Sequence, residues 1–139
     1  VDAGGREGDV SGPSSRYVRG KLEAARALVA SGWCQHAPAA RGPGSPLTSA
    51  TDPTARAWSP VGAIMRATAD RGAWEGGATP LACLRALRDA LPKATAQGSG
   101  QAALCAALAD WNDAEGRTKA DVLALFDSAI DRLQREEAA

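Results

Sequence analysis

An all-α fold is predicted for this chain, on three observations. Apolar residues make up 45% of it but aromatics only 4%, and alanine supplies much of the remainder, which favours closely packed helices over a sheet of large β-branched side chains. Apolar residues recur at three- and four-residue intervals in five separate stretches. Helix-start signals, a Ser or Thr followed by Pro or by an acid three positions on, stand before three of these stretches. A length of 139 residues suits one core and not two. The expected architecture is one compact domain of about five short helices over residues 14–139, with one long loop and a flexible N-terminal tail.

The tail is residues 1–13, which hold glycines and charges and almost nothing apolar, so that ordering them recovers little free energy. The first helix starts near GPSSRY, where Ser14 or Ser15 can cap, and Val18, Leu22, Ala25 and Val29 form its inner face. Gly32 stops it, and Trp33 is placed to fold back as a contact just past the helix end. Residues 35–55, rich in Pro, Gly, Ser and Thr, read as a long loop. The second helix opens on Ser59 as cap and Pro60 at the first helical position, with Val61, Ile64, Met65 and Thr68 on one face. Gly62 and Ala69 would let another backbone come close. The third repeats the pattern with Thr79 as cap and Pro80 next, then Leu81, Leu84, Leu87 and Leu91. The fourth carries Leu104, Ala107, Leu108 and Trp111. The fifth opens on Thr118 and Asp121 as a capping box and buries Val122, Leu125, Phe126, Ile130 and Leu133.

Sixteen basic residues balance sixteen acidic ones, so no global field draws the chain to nucleic acid or to an anionic membrane. Nucleic acid and membrane are therefore not expected as partners. The middle of the sequence is mildly basic and the last third acidic, a split that can pair segments with one another. Three cysteines, Cys34, Cys83 and Cys105, lack the even number and spacing of a disulfide framework and read as reduced thiols of a cytoplasmic protein. No apolar run approaches the ~20 residues of a membrane span, and the N-terminus shows no apolar signal-peptide core.

Two stretches carry candidate chemistry. In SGWCQHAPAARG the single histidine, His36, stands two positions from Cys34. On an extended segment both side chains point to one side, which makes Cys34 a candidate nucleophile and His36 its base, with Asn112 or Asp113 as the group that would orient the imidazole. The alternative is a loop anchor, in which Trp33 pins the chain leaving the helix. In ADWNDAEGRT, Asn112, Asp113 and Arg117 form a polar rim beside Trp111, which reads either as a pocket or as a helix–helix corner. Trp33, Trp58, Trp74 and Trp111 fall at predicted helix ends, as core plugs or as a recognition surface. No metal site is expected, because one histidine and two cysteines on apolar faces do not make four ligands, and no cofactor is expected either. Arg16, Arg19, Arg26, Arg85 and Arg88 read as solvated faces with local ion pairs.

The Gly-Trp-Cys turn, the helix start AWSPVGAIMRA and the block WNDAEGRTKADVLALFDSAI together resemble a family of small bacterial and phage proteins of unknown function, over most of residues 15–133. The resemblance implies a small helical domain and brings no reaction with it. The chain departs from that family's pattern at Ser59, where the resemblance calls for a second cysteine, so a paired role with Cys34 is not available.

The expected function is that of a non-catalytic helical interaction module, accessory or regulatory and phage-related. Its expected partner is another protein or a second copy of the chain, and a small molecule is the next class. The competing readings are a thiol-dependent hydrolase or transferase using Cys34 and His36, and a structural subunit of a larger particle.

Overall fold

In the computed structural model, residues 12–42, 45–69, 77–92 and 100–139 are described. The tail expected over residues 1–13, apart from its last two positions, and Trp74 lie outside them. Five helices occur among the described residues: α1 Ser15–Ser31, α2 Pro60–Thr68, α3 Ala78–Asp89, α4 Gln101–Asn112 and α5 Lys119–Ala138.

Their ends follow the side chains that can replace missing backbone partners. The Ser14 hydroxyl accepts from Tyr17 N at 3.1 Å, and the Ser59 hydroxyl accepts from Gly62 N at 3.0 Å with Pro60 behind it. At α5 the capping box is complete: Asp121 N donates to Thr118 Oγ1 and Thr118 N to an Asp121 carboxylate oxygen. The third helix differs from expectation. It begins at Ala78 behind Gly77, no side chain caps it, and Thr79 lies within its first turn. Pro80 is tolerated there because the first-turn N–H groups have no intrahelical acceptor to lose.

The core joins all five helices. Leu22, Val29, Ile64, Leu84, Leu87, Leu104, Leu108, Val122 and Phe126 are fully buried within it. The longest two helices, α1 and α5, pack against each other, and their rims carry Arg19 on Glu137 at 2.6 and 3.0 Å and Arg26 on Asp127 at 2.6 and 3.1 Å. These arginines therefore reach across to the acidic last third of the sequence rather than pairing only locally, with Arg19–Glu23 the one intrahelical exception among them.

The all-α expectation needs correction: the fold is mostly helical, but the supposed loop of residues 35–55 and the chain after it hold a small sheet. Strand β1, Ala39–Ala40, lies between β2, Leu47–Thr48, and β3, Ala57–Trp58, antiparallel to both. Ala39 faces Thr48 on one side and Trp58 on the other. The physical reason is that Ala39, Ala40, Ala50, Ala55 and Ala57 are buried, and backbone buried beside them must find partners within the protein. The turn beyond β2 is tied by Asp52, whose carboxylate accepts from the Thr48 hydroxyl and, at 2.8 Å each, from Thr54 N and Thr54 Oγ1. These hydrogen bonds, that of Thr48 foremost, hold its carboxyl well below the usual carboxylate range. Arg66 of α2 donates to Ala50 O and Asp52 O at 3.2 and 3.1 Å and so fastens this turn to the helical layer.

Two glycines set how closely the sheet meets the helices. Gly32 ends α1 in extended backbone, at φ −175°, and not in the left-handed turn that a glycine stop suggests. Its N–H bonds Leu28 O and Val29 O, its carbonyl accepts from Trp58 N at 2.9 Å, and a β-carbon there would lie 2.1 Å from Arg56 O. Glycine is required at this position by close approach. The same holds at Gly62, where a β-carbon would fall 1.8 Å from Pro38 O.

Candidate functional site

Both stretches singled out in the sequence meet at one corner of the molecule. From the end of α1 the chain runs through Gly32 and Trp33, and a parallel bridge joins Trp33 to Trp58, with Cys34 N donating to Trp58 O at 3.3 Å. This fixes the backbone of the 33–36 turn against β3. The turn then lies over the end of α4, and the contact is made by hydrogen bonds from almost every residue in it.

Asn112 is the centre of that contact. It is fully buried at the last position of α4. Its Oδ1 accepts from the Trp33 indole N–H at 2.8 Å, and its Nδ2 donates to Cys34 O at 3.1 Å and to Asp113 Oδ1 at 3.3 Å. Gln35 Nε2 donates to Asn112 O at 2.8 Å, a carbonyl that α4 leaves open at its C-terminal end, and at 3.3 Å to Ala114 O in the turn beyond it, which also accepts from Arg117 N. His36 N donates to Asp113 Oδ1 at 2.8 Å. A buried amide with both ends partnered fixes a unique arrangement, because any other register would strand polar groups away from water. Gln35 has no counterpart among the residues singled out in the sequence, since glutamine is a common polar residue and only its position between Cys34 and His36 hints at a role.

Cys34 and His36 are brought to the same turn but not to each other. His36 adopts φ 69°, so the segment is not the extended one that would align the two side chains. The imidazole is largely exposed, and its Nδ1 lies 3.8 Å from Asp113 Oδ2. The Cys34 thiol points to Ala37 O at 3.7 Å. Burial, together with the negative charge of Asp113, pushes this thiol up to about 11. Cys83 is buried in the core and its thiol is pushed up to about 12, and the half-buried Cys105 is raised by burial as well. Among the described residues no three His, Cys, Asp or Glu side chains gather as a metal ion would require.

Trp58 joins the corner through its backbone. Its indole N–H donates to Ala50 O at 3.1 Å and the Arg66 guanidinium lies over its ring, on the side of the sheet turn. Trp111 and Arg117 stand together beyond Asn112: the Arg117 guanidinium lies 4.0 Å from the Trp111 ring centroid, and its Nε donates to Trp111 O at 2.7 Å. Among the described residues, two cavities flank the corner. One, of about 150 Å³, is largely apolar and lies between Pro38, Pro60, Val61 and Leu108, with Asn112 and Asp113 at its edge. The other, an open cleft of about 310 Å³, is walled by Trp111 and Arg117 and by α5.

The fold and the corner define a small, mostly helical domain built around two interlocked turns. Residues 14–132 match the family of unknown function DUF6197, and since that is most of the chain, the protein belongs to this family. No curated protein and no solved structure gives a significant match. No helix among the described residues is long and apolar enough to cross a membrane.

Proposed function

We propose that the protein is a non-catalytic helical interaction module, an accessory or regulatory component of the cytoplasm whose partner is another protein or a second copy of the chain. The observation that carries this reading is the state of the Cys34 thiol. It is partly buried beside the Asp113 carboxylate, and the His36 imidazole is turned to that carboxylate and not to the sulfur. A nucleophilic cysteine needs the reverse, a cationic or basic neighbour that favours the thiolate. The other polar groups of the corner are spent on one another, which suits a rigid platform better than a reaction centre. A phage-related origin fits this role and rests on the sequence resemblance.

One observation favours the competing thiol-dependent hydrolase or transferase: His36 is held at a left-handed backbone angle with its ring beside Asp113, and strained residues gather at active sites. Alkylation separates the two readings. With iodoacetamide and peptide mapping, Cys34 is expected to react about two orders of magnitude more slowly than a free thiol of pKa ~8.5 at neutral pH. Its thiolate is expected only as pH rises toward about 11. Faster reaction than a free thiol at pH 6–7, lost in His36→Ala, would establish the enzyme reading instead.

A further inference from the structure

We infer that the cleft walled by Trp111, Arg117 and α5 is a binding site for an organic carboxylate. Arg117 is held on two sides: its Nε donates to Trp111 O at 2.7 Å and its guanidinium stacks on the Trp111 ring. Those contacts use one edge and one face of the group. Among the described residues its two terminal nitrogens meet no hydrogen-bond acceptor and no carboxylate, whereas Arg19 and Arg26 are paired with acids and Arg66 with carbonyls. The guanidinium is therefore fixed in orientation with a planar pair of N–H donors free, the arrangement that accepts a carboxylate bidentately at little entropic cost.

The cleft around it sets the class of ligand. Ala90, Pro92, Ala124 and Leu125 give it apolar walls, and Ser128 adds a hydroxyl. Asp121 also lines it, but that carboxylate accepts from Thr118 N in the capping box and does not pair with Arg117. One guanidinium with one acid at the rim leaves no net charge, so a monoanion held by the paired N–H donors is better suited than a phosphate dianion, which the Asp121 carboxylate repels more strongly. A volume of about 310 Å³ lies at the lower end of the usual range for small-molecule sites. It fits a short-chain acid or the terminal residue of a peptide, two sources of the same carboxyl chemistry. This goes beyond the module reading and is tested independently of it, since nothing in the cleft depends on the reactivity of Cys34.

The experiment is a titration of the intact protein followed by the Arg117 Nε–H and Trp111 indole N–H signals in 1H–15N spectra. The probes are hexanoate against hexanamide, and N-acetyl-leucine against N-acetyl-leucinamide. Saturable shifts with each acid at least roughly tenfold tighter than with its amide are expected, together with a comparable loss in Arg117→Lys, which keeps the charge but not the fork. Tighter binding of N-acetyl-leucine assigns the site to a peptide terminus, and tighter binding of hexanoate to a free acid. Equal binding of acid and amide, absence of saturable shifts, displacement of the acid by equimolar inorganic phosphate, or unchanged affinity in a folded Arg117→Lys would each overturn the inference. The acid–amide comparison is made on the unsubstituted chain and holds whether or not Arg117→Lys folds.

Discussion

Replacing Gly62 by alanine is expected to destabilise the protein by about 3 kcal/mol, read as a lower urea midpoint at unchanged slope. In an ordinary helix interior the same change stabilises by about 0.5–1 kcal/mol, because alanine loses less backbone freedom on folding. The sign reverses here because the new methyl would fall 1.8 Å from Pro38 O and 2.5 Å from Pro38 C. Both are backbone atoms, and Pro38 O already accepts from Ser59 N at 3.0 Å. Relief must come from moving the chain that leads into β1 or from shifting α2 out of the core. A neutral or stabilising Gly62→Ala would show that the Pro38 backbone does not lie against α2.

The second large effect is expected from Asn112→Ala, at about 2–4 kcal/mol. The substitution leaves the Trp33 indole N–H and Cys34 O, both partly buried, without their partners. It also frees the Asp113 carboxylate from one of its two donors, so the hold on His36 N weakens. Helix propensity would improve, since alanine outranks asparagine by up to about 0.7 kcal/mol, and this gain is too small to offset two unsatisfied, partly buried groups. Loss of the 33–36 turn would appear as greater exposure of Trp33 in the emission spectrum.

Much of the helical frame was legible because its signals are local. Ser14, Ser59 and Thr118 each cap the helix that their sequence context predicts, and the apolar faces of α1 and α5 are the buried ones. Thr79 misled because Ser/Thr-Pro is a sound start signal only if the residues before it cannot turn, and Gly77 at φ 117° can. The sheet was not legible for a different reason. Strands of two residues carry no alternation, Ala39 and Ala40 have low strand preference, and their pairing depends on partners in β2 and β3 that are distant in sequence.

The corner shows the same division between local and distant information. Trp33, Asn112, Asp113 and Arg117 stood out by residue type, and Gly62 could be read as a point of close approach. What periodicity and composition do not contain is the partner: Pro38 for Gly62, and the meeting of residues 79 positions apart in sequence for Trp33 and Asn112. The Cys34–His36 spacing suggested a reactive pair only on the assumption of extended backbone, which His36 does not adopt.

The two turns form one interlocked unit, and a double-mutant cycle between Trp33→Phe and Asn112→Ala tests this most directly. Phenylalanine keeps most of the ring's packing and removes the N–H donor; alanine removes its acceptor. A coupling energy of about 1 kcal/mol or more in urea unfolding is expected if the 2.8 Å bond joins the turns in solution. Additivity of the two changes to within about 0.3 kcal/mol would contradict the account.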